Sequence, residues 1–364
     1  MSLYNMHTPF YDPNKSYEHN FKHGPFGAFA DGKRYYQRKK PKHRFITHPV
    51  HLPFGIAAGP LLNGAFVKAA LDKGFDVVVY KTVRSRQHPC HPWPNVVPIR
   101  VQGNLEADQI DKEPLIAHHE FTHPLAITNS FGVPSFEPDF WQKDMAEAVA
   151  YAKNGQLVVG SFQGTPQSDG NPHSYITDFA HTAALVKETG VKVLEANLSC
   201  PNEGTKNLLC FDLERTRRVV EAIKNSIGDM PLILKLAFFV DNAQLHKLVS
   251  AVGGLVKGFA AINTIGARIV TPEGKQALPG EGRLSSGVCG KPIKWAGLDM
   301  VSRLKKLRED LNLNYAVTGV GGVIHPEDYH EYRYAGADSV MTATGAMWNP
   351  YLAQEIKEST KEIV

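Results

Sequence analysis

Eight short apolar runs, helical patterns between most of them, and polar or small residues closing the runs predict an α/β protein. The class is a (β/α)8 TIM barrel with a long excursion after its second strand and an N-terminal extension. The runs are FGIAAG (54–59), DVVVYKT (76–82), LVVGS (157–161), KVLEANLS (192–199), PLILKLA (231–237), GFAAINT (258–264), YAVTGVGG (315–322) and SVMTATG (339–345). None alternates polar with apolar, which is the pattern of parallel strands buried on both faces.

Between them the period changes. Ile176, Phe179, Ala180, Ala183 and Val186 form an i, i+3, i+4, i+7, i+10 stripe ended by Gly190, a suitable residue just past a helix. Further helices are expected through Ala65–Lys73, Arg215–Ile227, Leu298–Leu307 and Pro326–Tyr334. About 75 residues separate the second run from the third, far more than one crossover helix needs. They read as an excursion folded over the barrel mouth, where long ordered loops carry function. A doubly wound open sheet is the competing fold, but no G-x-G-x-x-G follows the first strand.

Residues 1–44 lack sustained periodicity and read as an extension lying over a domain of residues 45–364. The net charge of +4 is local: Lys33 to Arg44 holds seven Lys/Arg and no acid. A solvated run is expected there, and no nucleic-acid binding. The chain is 43% hydrophobic and 21% charged, and no stretch approaches the roughly 18 apolar residues of a transmembrane span. With no secretory-type apolar core near residue 1, a cytoplasmic address is expected. Cys90, Cys200, Cys210 and Cys289 include no CxxC pair, so free thiols are expected rather than disulfides or an iron–sulfur cluster. HPCHP around Cys90 lacks metal-ligand spacing, and no metal site is expected.

In a (β/α)8 barrel the C-terminal strand ends share one face and carry the active site. They are Lys81 and Thr82, Ser161, Asn197, Lys235, Asn263 and Thr264, Gly321 and Gly322, and Ala343 and Thr344. Small residues ending strands seven and eight suit a phosphate, because backbone N–H groups approach one only where side chains are absent. On these residues alone, Lys235 could also be the Schiff-base lysine of a barrel lyase, or the site could simply bind a phosphate ligand.

The strings AAG (57–59), KT (81–82), NSFG (129–132), ANLSCPN (196–202), LK (234–235), NTIG (263–266) and GVGG (319–322), in that order, resemble the class 1 dihydroorotate dehydrogenases. The resemblance covers about residues 50–350. It implies an FMN-dependent oxidation of dihydroorotate to orotate in pyrimidine biosynthesis, with Cys200 as the general base. It also implies substrate contacts at Lys81, Asn129, Phe131, Gly132, Asn197, Asn202, Asn263 and Thr264. Implied flavin contacts are Ala58, Gly59, Lys81, Thr82, Ser161, Asn197, Lys235, Gly287, Gly321, Gly322, Ala343 and Thr344.

These types suit the chemistry. Oxidation removes a proton from one carbon and hydride from its neighbour, so a base and an acceptor are required on opposite sides of the substrate. A thiol of pKa about 8.5 is a few per cent thiolate near neutrality. A lysine offsets charge on reduced flavin, and amides offer donor and acceptor to a planar imide. A dihydropyrimidine or other cyclic amide is the alternative substrate, although the related uracil-reducing enzymes carry His at the position of Asn202. The segment PNEGTKNLLCFD departs from the family's usual PNVPGKPQ, and residues 271–292 also depart, while keeping Ser286-Gly287 and Gly290-Lys291-Pro292. A homodimer is expected. Fumarate would suit a lone dimer, NAD would require an iron–sulfur flavoprotein partner subunit, and quinone would require a membrane-facing apolar surface.

Overall fold

The structure, a computed structural model, describes residues 6–37, 40–122, 125–166, 171–199 and 208–362. Its centre is a closed barrel of parallel strands. These are β1 Phe54–Ile56, β2 Val77–Val83, β3 Leu157–Phe162, β4 Leu194–Asn197, β5 Leu232–Leu236, β6 Gly258–Ala261, β7 Ala316–Val320 and β8 Ser339–Thr342. Each pairs with the next in sequence, and β8 closes onto β1. All eight expected runs are strands.

Alternate residues explain why the runs are apolar throughout. Val77, Val79, Leu157, Val159, Val193 and Ile233 meet inside the barrel, while their neighbours Val78, Tyr80, Val158, Leu194, Leu232 and Leu234 join the core beneath the helices. Phe45 and Val50, from a hairpin of His43–Phe45 and His48–Val50, belong to the same interior cluster and plug the lower end. The crossover helices are α1 Gly64–Asp72, α2 Pro138–Tyr151, α3 Pro172–Glu188, α4 Leu213–Ile227, α5 Asn242–Val252, α6 Lys294–Asp310 and α7 Pro326–Ala335. Side-chain caps start several of them: Asn63 on α1, Asn171 on α3 and Asp212 on α4 each accept a backbone N–H of the first turn. Thr344–Trp348 (α8) and Leu352–Glu362 (α9) follow β8.

The excursion does not stand alone. Its Leu115–Ile116 and Ala126–Asn129 join Ile265–Val270 and Ser285–Gly290, from the connection after β6, in one four-stranded sheet. Two short strands from one excursion are too little for a stable sheet, so their partners come from the next long connection. The extension is likewise built in. Phe10, Tyr11, Tyr17 and Phe29 are buried in the main core, and the His7 and Phe10 N–H groups donate to the carbonyls of Trp348 and Met347 at 3.0 and 3.1 Å. Lys33, Arg34, Lys40, Lys42 and Arg44 are exposed. Among the described residues no helix is long and apolar enough to cross a membrane.

One buried ion pair ties α9 to the barrel. Lys357 Nζ lies 2.8 Å from Asp76 Oδ2, with the two side chains 7% and 1% exposed, and the Leu52 N–H donates to the same oxygen at 2.8 Å. Burial raises the Asp76 carboxyl to about 6, against the opposing pull of Lys357 and the Leu52 N–H. Because that is above the unfolded value of about 3.9, the folded state binds more protons in between. This acid's contribution to stability therefore falls as pH rises through about 4 to 6. Lys357→Met leaves the carboxylate unpaired and should cost about 3–5 kcal/mol at neutral pH. The deficit should shrink near pH 5, where the carboxyl protonates. Urea unfolding of both proteins at the two pH values checks this, and a deficit that grows on acidification would contradict it.

Candidate active site

A cleft of about 810 Å³, counting the solvent in its mouth, opens at the C-terminal ends of the strands. Ala58, Gly59, Asn129, Phe131, Lys235, Asn263, Thr264, Gly321, Gly322, Ala343 and Thr344 line it together. Lys81 and Thr82 line an adjoining cavity that shares Leu62 with the cleft. Ser161 and Asn197 are buried at the ends of β3 and β4. Cys200 and Asn202 lie outside the described residues.

The small residues are required where they stand. Gly321 and Gly322 have φ of 126° and 66°, in the region that favours glycine, and a Cβ on Gly322 would meet the Lys294 backbone N at 2.9 Å. A Cβ on Gly287 would sit 2.1 Å from Thr264 Oγ1, so Gly287 buttresses that threonine from behind. Thr264 Oγ1 is buried without a partner among the described residues. Such a group calls for a ligand or water.

The amides have defined free valences. Asn263 Nδ2 donates to the Ser199 carbonyl at 3.0 Å and to Ser199 Oγ at 3.1 Å. Asn197 Nδ2 donates to Gln163 Oε1 at 2.9 Å, and Asn197 Oδ1 accepts from the Ser199 N–H at 3.3 Å. Ser199, the last described residue before Cys200, is thus fastened to two strand ends, and its hydroxyl also donates to the Lys235 carbonyl at 3.2 Å.

Two buried arginines, which the sequence reading did not single out, hold the Asn129–Ser135 loop from either side. Arg283 donates to Ser130 Oγ at 3.0 Å, to the Ser130 carbonyl at 3.1 Å, and to the carbonyls of Pro92 and Pro94 at 2.7 and 3.1 Å. Arg84 donates to the Val133 carbonyl at 3.0 Å and the Gly164 carbonyl at 3.1 Å. Between them Gly132 has φ 78°, and a Cβ there would meet His91 Nε2 at 2.5 Å. The loop can therefore present Phe131 to the cleft in one shape. Tyr11, from the extension, also lines the cleft and packs edge-on against Phe131 at 5.6 Å. Nothing in the one-dimensional pattern marks either arginine or Tyr11.

Electrostatically, the strand ends hold a buried pair. Desolvation lowers the Lys235 ammonium from its ordinary pKa, with Glu195 opposing the shift. Burial raises the Glu195 carboxyl, with Lys235 and Ser161 opposing. Burial also pushes the thiols of Cys90 and Cys210 up to about 12 and that of Cys289 to about 11. All three are held as thiols near neutrality. No group of three or more His, Cys, Asp or Glu among the described residues could hold a metal ion.

The arrangement can hold an anionic group against small residues, place a cation beneath it and offer amides to a polar ring. Comparisons with known proteins place the chain in a family. A sequence model described as dihydroorotate dehydrogenase matches residues 112–364. A dihydroorotate dehydrogenase of Dictyostelium discoideum is 34% identical over 98% of each chain. The catalytic subunit of an NAD(+) dihydroorotate dehydrogenase B from Desulforamulus reducens is 31% identical over 64% of this chain and 71% of its own. Among solved structures, a ligand-free DHODH from Eimeria tenella superimposes with a TM-score of 0.70 at 18% identity, covering 92% of this chain and 91% of its own. At that identity the likeness speaks for the fold alone. The family match over most of the chain and the full-length relative together show that this chain belongs to the dihydroorotate dehydrogenase family.

Proposed function

We propose that the protein is an oxidoreductase that converts dihydroorotate to orotate in pyrimidine biosynthesis, using FMN bound in the cleft and Cys200 as general base. The observation that carries this reading is the meeting, in one cleft, of Gly321-Gly322 and Ala343-Thr344 with Lys235 and the amides Asn129 and Asn263. The cleft suits the cofactor: Gly321 and Gly322 line it at the end of β7 without side chains, and the buried Thr264 hydroxyl has no partner among the described residues. FMN, when bound, supplies the two-electron acceptor.

The chain's own groups do the rest. Gly321, Gly322, Ala343 and Thr344 would receive the phosphate, and Lys235 would offset negative charge accumulating on the cofactor ring. Asn263 spends its N–H bonds on Ser199, leaving Oδ1 to accept from a substrate imide N–H. Asn129 brings a second amide, and Phe131, held by the loop described above, excludes water from the reacting face. Cys200 would take the proton from the carbon beside the substrate carbonyl.

Titration of the purified protein with FMN, followed by anaerobic addition of dihydroorotate, tests the reading. Retained yellow flavin that bleaches on adding dihydroorotate, with orotate formed, is the expected result. Failure to take up FMN would remove the oxidoreductase mechanism, and bleaching by a dihydropyrimidine alone would move the substrate to that class.

A further inference from the structure

Among the groups the mechanism leaves unused, Glu195 is the least expected where it stands. It lies on β4, 1% exposed, at a barrel position where neighbouring strands turn Val159 and Ile233 inward. Its Oε1 accepts from Ser161 Oγ at a long 3.4 Å, and its Oε2 has no partner among the described residues. A carboxylate so buried and so poorly hydrogen-bonded would ordinarily take up a proton. Lys235, on the adjacent β5 two residues past Ile233, the register partner of Glu195, opposes that. Glu195 and Lys235 therefore favour each other's charged form.

The hydroxyls make the consequence directional. Ser161 Oγ also lies 2.9 Å from Thr82 Oγ1, and each hydroxyl has one proton. With Glu195 ionised, Ser161 must give its proton to the acid, so Thr82 donates to Ser161. The Thr82 oxygen is then left as an acceptor only. A neutral acid could donate to Ser161 and reverse the order.

We propose that Glu195 is a positioning residue, setting through Lys235 and the Thr82–Ser161 pair the charge and hydrogen-bond direction of the floor beneath the flavin. This rests on the flavin reading above. By offsetting part of the Lys235 charge, the acid weakens the preference of the site for reduced, more negative flavin. Removing it should strengthen that preference.

The test is the midpoint potential of bound FMN in the parent and in Glu195→Gln, which keeps shape and an acceptor for Ser161 but not the charge. Reduced flavin held about tenfold more tightly relative to oxidised is expected, an upward shift of about 30 mV for a two-electron couple. An unchanged or lowered potential in Glu195→Gln overturns the proposal. If the parent itself binds no FMN, the flavin reading fails instead, so the two failures are distinguishable. Should Glu195→Gln not fold, Ser161→Ala reads the same relay. Losing its hydrogen bond, the acid should protonate and the potential should again rise, and a potential that does not rise sinks the idea.

Discussion

Cys200→Ala is expected to slow flavin reduction by dihydroorotate about 10²–10⁴-fold, the range for loss of a positioned general base, while FMN still binds. The resemblance to the family is what places the base on Cys200. The thiols of Cys90, Cys210 and Cys289 are all pushed to about 11 or 12 by burial, so none supplies thiolate near neutrality. Cys200 lies outside the described residues, but Ser199 before it is fastened by Asn263 and Asn197, both groups of the strand ends. In the parent, the rate of flavin reduction should climb with pH toward the ordinary thiol pKa of about 8.5, because thiolate is the basic form. Stopped-flow reduction across that range checks both points. An alanine variant as fast as the parent near pH 8, or one that keeps the same pH rise, would show that another group takes the proton.

Arg283→Met should be the most damaging change away from the reacting atoms. The side chain is 4% exposed, and its guanidinium joins Ser130 of the excursion to the carbonyls of Pro92 and Pro94. Each hydrogen bond from a charged donor contributes roughly 1.5–3 kcal/mol, and the Ser130 carbonyl left behind is buried. A loss of about 3–5 kcal/mol is expected for breaking a buried charged network. Because Ser130 adjoins Asn129 and Phe131, a displacement of about 1 Å there could cost about 100-fold in kcat/KM. Arg283→Lys should recover little, since an ammonium cannot reproduce a planar fork with several fixed donors. Thermal melting and steady-state kinetics read the two effects separately. A methionine variant with parental kcat/KM would mean that Arg84 holds the loop by itself.

The barrel was legible because its strands are buried on both faces: Val77, Val78 and Val79 are all apolar whichever way they point. The candidate residues were legible because strand ends converge in any closed parallel barrel, so Lys235, Asn263 and Gly321 could be grouped without knowing a single distance. The residues that hold the cleft in shape were not. Arg283 sits in a Gly/Pro-rich connection, and its partner Ser130 is 153 positions away. Tyr11 belongs to an extension with no periodicity, yet it packs on Phe131. Glu195, inside a strand, looks like one polar residue in an apolar run until Ser161 and Lys235 are seen beside it.

By itself, then, the amino-acid order determined the eight strands, five of the seven helices between them and the set of polar strand ends. Those features follow from local periodicity and from a closed geometry that brings strand ends together. Only the tertiary structure decided how the excursion pairs with the chain after β6, and which arginines clamp its loop. It alone decided that a tyrosine from the extension lines the cleft and that a buried acid accepts from Ser161. These depend on long-range packing, in which a donor finds its acceptor by shape and desolvation rather than by spacing along the chain.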